Sequence, residues 1–117
     1  MTRPNILYLH SHDTGRYVQP YGYAVPTPNL QRLAGQGVLF RQCYCANPTC
    51  SASRAALLCG QSAHSAGMLG LAHRGFALNE PSHHLAAFLA RNGYETVLCG
   101  VQHETVGTPE SVRALAV

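Results

Sequence analysis

Apolar residues fall in short runs separated by polar, Gly- and Pro-rich stretches, and each run predicts an element by its length and period. Asn5 to His10 carries Ile6-Leu7-Tyr8-Leu9, a composition that permits burial on both faces and predicts a strand of a parallel sheet. Val38 to Cys45 and Tyr94 to Val101 are the next two strand candidates. Between them lie helical stretches. Pro28 at a helix start and Gly35-Gln36-Gly37 at its end bracket a helix near Asn29 to Ala34. Ser51 to Cys59 is rich in Ala and Leu, with no breaker until Gly60. Pro81 opens a helix to Arg91 with Leu85, Phe88 and Leu89 on one face, stopped by Asn92-Gly93. Pro109 to Leu115 predicts a last helix. Thr14 to Pro26 reads as a long loop, and Gln61 to Glu80, rich in Gly, Ser and His, as a loop or a wall of a substrate pocket.

Strand, helix, strand, helix, strand in this order implies right-handed crossovers and an α/β fold with a mostly parallel, doubly wound sheet flanked by helices. No internal repeat, low-complexity tract or linker interrupts it, and 117 residues is a one-domain length. In an open α/β sheet ligands bind beyond the carboxyl ends of the strands, where the first strand delivers His12 and Asp13.

The densest chemistry lies in Cys50-Ser51-Ala52-Ser53-Arg54. Cys50 falls at or just before a helix N-cap, where free N–H groups and the helix dipole favour negative charge. Arg54 lies about one turn on, within reach of an anion held at that helix end, and the arrangement suits a tetrahedral sulfate or phosphate. The local pattern is equally compatible with a small apolar Cys before an ordinary surface helix and a solvated Arg. Asp13 likewise reads either as a metal ligand or as an Asx turn before Gly15.

Cys50-x-Ala-x-Arg54, continued by Ala55-Ala56-Leu57-Leu58-Cys59-Gly60, resembles the Cys-x-Pro-x-Arg signature of the sulfatase family, in the alkaline-phosphatase-like superfamily. Pro4 to Leu9 followed by His12-Asp13-Thr14-Gly15 resembles that family's first strand and acidic metal-binding turn. Thr27-Pro28-Asn29-Leu30-Gln31-Arg32-Leu33-Ala34, then Gly37-Val38-Leu39-Phe40, is similar to its Thr-Pro-Asn-Leu-Asp-x-Leu-Ala and Gly-x-x-Phe segment. Gly93-Tyr94-Glu95-Thr96 to Gly100 matches the strand leading to its Gly-Lys-x-His site, with Val101 at the Lys position and His103 at the His. Among subgroups, Ser65 to Leu71 looks most like the heparan sulfamidases, the N-sulfoglucosamine sulfohydrolases. The likeness runs from about Pro4 to His103.

That resemblance implies an alkaline-phosphatase-like fold, of which this chain is the N-terminal portion. It implies hydrolysis of a sulfuric ester or sulfamate on a sulfated small molecule or glycosaminoglycan-derived sugar. By alignment the catalytic residues are Cys50, Arg54 and His103, and the metal ligands are His12, Asp13 and Cys50. Cys50 would be converted to formylglycine, whose hydrate attacks sulfur, by a formylglycine-generating maturation enzyme; Ala52 replaces the Pro that most members carry. His103 would contact the sulfate and assist the leaving group, with Arg74 a candidate to replace the missing Lys. The divalent metal is usually calcium; Asp13 matches the second of two acids and His12 stands where the first would be. Phosphomonoester or phosphonate ester hydrolysis, on the same fold, is the chemical alternative, and a non-catalytic fragment is another.

Composition narrows these possibilities. Asp13 is the only aspartate and there is no lysine, so the full set of family site residues is not expected within residues 1–117. Eight arginines against five acids give a net charge of +3, too small and scattered for a nucleic-acid surface. No run is long and apolar enough to span a membrane, and Met1-Thr2-Arg3-Pro4 carries no hydrophobic signal core, so a cytoplasmic chain is expected although relatives are often exported. Five cysteines without paired Cys-x-x-Cys spacing predict reduced thiols. His64 and His73 could line a pocket or be solvated, His83 and His84 are expected at the surface, and His10 shares a strand face with His12.

Overall fold

The computed structural model describes residues 3–113, and the chain divides into two compact units, Met1–Cys43 and Tyr44–Val117. In the first, Pro28 starts α1 (Pro28–Gln36) because proline's missing N–H costs nothing at a first helical position. A 3-10 turn, Gln19–Tyr21, precedes it. The Gln19 N–H donates to Thr27 Oγ1 at 3.0 Å and the Thr27 N–H to Gln19 Oε1 at 3.2 Å, so two side chains close the segment between them into a ring. The Tyr21 hydroxyl donates to the Phe40 carbonyl at 3.0 Å. Val18 is the one buried residue among those described in this unit. An open apolar hollow of about 420 Å³ lies between Val18, Tyr21, Leu30, Leu33 and Leu39.

The second unit is built on α2 (Cys50–Cys59). Ser51, Ala52, Ala55 and Ala56 recur at helical spacing and form its buried face. Ala52, Ala55, Ala63, Met68 and Ala72 make the core, with Leu78 packed against it. Such small side chains let α3 (Ala63–Ala66) approach α2 closely, and Met68, fully buried, fills the irregular space left between them. Ser62 caps α3 by accepting the Ser65 N–H at 3.1 Å. Gly67 ends it at φ 83°, where an added Cβ would collide with the Asn79 side-chain amide. Asn79 is held there by its N–H to the Ala66 carbonyl (2.9 Å) and its Nδ2 to the Ser65 carbonyl (3.3 Å). A 3-10 turn at Ala72–Arg74 follows. Thus the stretch 61–80, expected as a loop or pocket wall, supplies most of the core.

The helix expected over Pro81 to Arg91 is broken: a 3-10 turn covers Pro81–His83 and α4 spans Leu85–Arg91. The break falls at His84, extended at ψ 141°, whose Nδ1 accepts the Ala86 N–H at 3.1 Å and so starts a new helix. The expected apolar face is corrected too: Ala87 is fully buried while Leu85 and Phe88 remain exposed. The last helix, α5, spans Pro109–Arg113; its expected continuation to Leu115 lies outside the described residues.

No strand forms among the described residues, so the three expected sheet segments 5–10, 38–45 and 94–101 are present without strand pairing. A strand exists only through ladder bonds to a neighbour, and parallel strands need crossover partners to supply them. Here each segment has apolar side chains open to solvent: Leu7 is 87%, Val38 79% and Val97 81% exposed. Their sequence is that of sheet interior without the sheet. Among the described residues no helix is long and apolar enough to cross a membrane.

The core position of Met68 is testable. Met68→Ala should destabilise the second unit by about 2–5 kcal/mol, whereas Leu57→Ala, at a 59%-exposed position, should stay within about 0.5 kcal/mol; paired urea unfolding curves compare them.

Candidate functional site

Cys50 is the first residue of α2, a free, half-buried thiol, one position further into the helix than the sequence pattern predicts. Thr49 precedes it as N-cap in extended conformation, yet its side chain does not cap. The hydroxyl donates to Asn47 Oδ1 at 2.7 Å, and the same oxygen accepts the Thr49 N–H at 2.9 Å. The first turn is therefore entered with the cap side chain turned away. The first helical bond runs from the Ser53 N–H to the Thr49 carbonyl at 2.8 Å, so the amides before it have no carbonyl within the helix to bond. Positive dipole and unengaged amides make this helix end suited to an anion.

Arg54, four residues on and half-buried, makes no ion pair with another described residue and supplies a guanidinium one turn above Cys50. Ser51 does the opposite work from the one its hydroxyl first suggests. It is 2% exposed, and its Oγ accepts the Ala72 N–H at 3.2 Å, which fixes the 3-10 turn at 72–74 to α2. The recurrence of small residues at 51, 52, 55 and 56 is the sequence signal that places it inward.

His103 is half-buried, and one of its ring nitrogens lies within 4.8 Å of the Cys50 Sγ, so the second unit brings together two of the three predicted catalytic residues by their reactive atoms. Val101, at the position of the family's lysine, is 67% exposed. His64, His73, Arg74 and His83 are exposed, and His83 Nδ1 lies 3.3 Å from Gln61 Nε2.

In the first unit, His12 Nδ1 lies 3.0 Å from Asp13 Oδ1, and Asp13 adopts a left-handed φ of 52°. One carboxylate and one imidazole fall far short of the roughly six to eight oxygens a calcium ion takes. An imidazole suits softer divalent ions. These two residues alone do not fit a calcium site. His10, expected near His12, has its Nδ1 at 2.6 Å from the Tyr8 hydroxyl.

Two further polar residues have no sequence signal. His84, expected at the surface, is 6% exposed, and Glu104 is 3% exposed. Burial pushes the His84 imidazole below its ordinary value, with the Glu104 charge opposing in part. Since His84 Nδ1 accepts the helix N–H, the neutral ring carries its proton on Nε2, which is buried without a hydrogen-bond partner. Burial, then Glu104, pushes the Cys59 thiol up, which leaves it the inert form of a cysteine.

The chain matches the family model described as Sulfatase over residues 4–114, and it belongs to the sulfatase family. The family implies an alkaline-phosphatase-like fold and, in general, a metal and a formylglycine. An N-acetylgalactosamine-6-sulfatase of Sus scrofa is 37% identical over 115 residues, covering 86% of this chain and 22% of the relative. An N-acetylglucosamine-6-O-sulfatase of Bacteroides thetaiotaomicron is 32% identical over 103 residues, 86% of this chain and 18% of the relative. An ulvan-active sulfatase of Formosa agariphila is 42% identical over 66 residues, 56% of this chain and 11% of the relative. The chain thus spans about a fifth or less of the length of these relatives. No solved structure matches it.

The buried imidazole makes stability depend on pH. The unfolded chain takes up a proton at His84 near the ordinary value of about 6.5, while the folded chain resists until lower pH. Unfolding free energy should therefore be at its full value above the ordinary histidine range and fall as pH drops from there toward the depressed value. His84→Asn, which can still cap α4, should flatten that slope in denaturation curves taken across the window.

Proposed function

We propose that this chain is the N-terminal part of a sulfatase catalytic domain that hydrolyses a sulfuric ester or sulfamate on a sulfated sugar. The observation that carries this reading is the free Cys50 at the open first turn of α2 with Arg54 one turn on, in a chain that matches the family over residues 4–114. The relatives' names, two hexosamine-6-sulfatases and an ulvan-active sulfatase, support a sulfated sugar as substrate. The sulfamidase likeness rests on residues 65–71, of which Ala66 and Met68 are buried core, so it speaks less to substrate choice than the helix end does.

Formylglycine formed at position 50 by a maturation enzyme would supply the oxygen nucleophile. The half-buried side chain at the first helical position fits such a group, with the first-turn amides flanking it and Arg54 one turn on along the helix. Arg54 neutralises charge on the transferring sulfuryl group, and the first-turn amides donate to its oxygens. His103, within 4.8 Å of the position-50 side chain, delivers a proton to the departing oxygen or nitrogen. His12, Asp13 and Cys50 carry over the family's metal positions. Calcium is the ion the family pattern implies, His12 is where this chain departs from it, and the remaining ligands would come from further chain.

Cys50→Ala should abolish turnover of sulfated hexosamines in the complete domain, and Arg54→Ala should lower kcat/KM by about 10²- to 10³-fold. Parallel assays on N-sulfated and O-sulfated glucosamine and on aryl phosphates identify the substrate class, and peptide mass spectrometry reports aldehyde in place of thiol at position 50. Undiminished turnover by Cys50→Ala would refute the nucleophile assignment.

A further inference from the structure

Next to His103 lies a buried side chain to which the reaction above gives no part. Glu104 is 3% exposed, a rare place for an acid. Its Oε2 accepts the His103 main-chain N–H at 3.0 Å. Its own N–H donates to Gln102 Oε1 at 2.8 Å, and that oxygen also takes the Thr105 N–H at 2.9 Å. Gln102 Nε2 returns a bond to Thr105 Oγ1 at 3.0 Å, and the Gly107 N–H reaches the same hydroxyl at 3.2 Å. Gln102 thus braces the loop from one side of His103 and Glu104 grips it from the other, although the segment belongs to no helix or strand.

Glu104 shares its buried surroundings with His84, at the start of α4, and among the described residues no other side chain is recorded as holding its carboxyl. His84 presents the one buried side-chain nitrogen without a partner among the described residues. A buried carboxyl is costly where an apolar side chain of the same size would serve packing alone.

We propose that Glu104 is a positioning residue for His103: its buried carboxylate holds the His103 backbone and so sets the imidazole against the side chain at position 50. The inference rests on reading Cys50 and His103 as the reacting pair, but its geometry is measurable without turnover. Three forms of this chain with Cys50 unconverted suffice: wild type, Glu104→Gln, which keeps an acceptor oxygen, and Glu104→Met, which fills the space without one. Proton NMR should show a nuclear Overhauser contact between the Cys50 and His103 side chains, and slowed exchange of the His103 amide, in wild type and Glu104→Gln. Both should be lost in Glu104→Met while the dispersion of the remaining spectrum is kept. In the complete converted domain, Glu104→Met should lower kcat on the order of ten- to a hundredfold with KM little changed, and Glu104→Gln should restore most of it.

A Glu104→Met protein that keeps the contact would overturn the proposal, as would a Glu104→Gln protein that loses it. Should Glu104→Met not fold, the His103 amide still decides: rapid exchange in wild type refutes the clamp. Absent turnover with the contact pattern as described would count against the proposed reaction and leave the positioning of His103 supported.

Discussion

The hydrogen bond from the Ala72 N–H to Ser51 Oγ, in a wall of alanines with Met68 at its centre, is the constraint on which the second unit depends. It joins the first turn of α2 to a segment twenty-one residues on, and it does so one residue from Cys50. The thiol is therefore fixed by packing below it, not by a cap above it. Thr49 leaves the cap position unfilled by bonding Asn47, so rigidity and an open anion-binding end occur in the same turn. A site that must meet a charged group without rearranging benefits from that division, because preorganised donors cost no reorganisation at the moment of reaction.

The loop that carries His103 obtains its order in a different way. Residues 102–107 have no helix to lean on, and side chain to backbone bonds from Gln102, Glu104 and Thr105 substitute for one. Such local bonds are the usual competitors of regular structure, and here they hold a loop in one shape. Two buried ionisable residues, His84 and Glu104, come from segments far apart in sequence, one at the start of α4 and one in this loop.

Helix ends were legible in the sequence because their signals are local. Pro28, Gly60 and Asn92-Gly93 mark boundaries within a residue or two of those observed for α1, α2 and α4. Cys50 and Arg54 were legible for the same reason, since a helix fixes the i to i+4 relation by itself. The strand segments at 5–10, 38–45 and 94–101 were read from composition, which reports what a residue would do with a neighbour and not whether one is present. His84 escaped because an imidazole cap is not among the side chains that announce a helix start. Glu104 escaped because burial of a lone acid depends wholly on what folds over it.

Ala52 gives the signature stretch one property of its own. It is the third residue of α2, ahead of the first amide that finds a partner within the helix. A proline at that place, as the family signature has it, carries no amide hydrogen and asks nothing of the helix there. Alanine in its stead leaves the fold's backbone requirements as they were, while its methyl group is sealed in the core at 0% exposure. What changes is the count of hydrogens directed along the helix axis beside position 50: this chain offers one more than a proline-bearing relative, and with it a slightly stronger field at the mouth of α2.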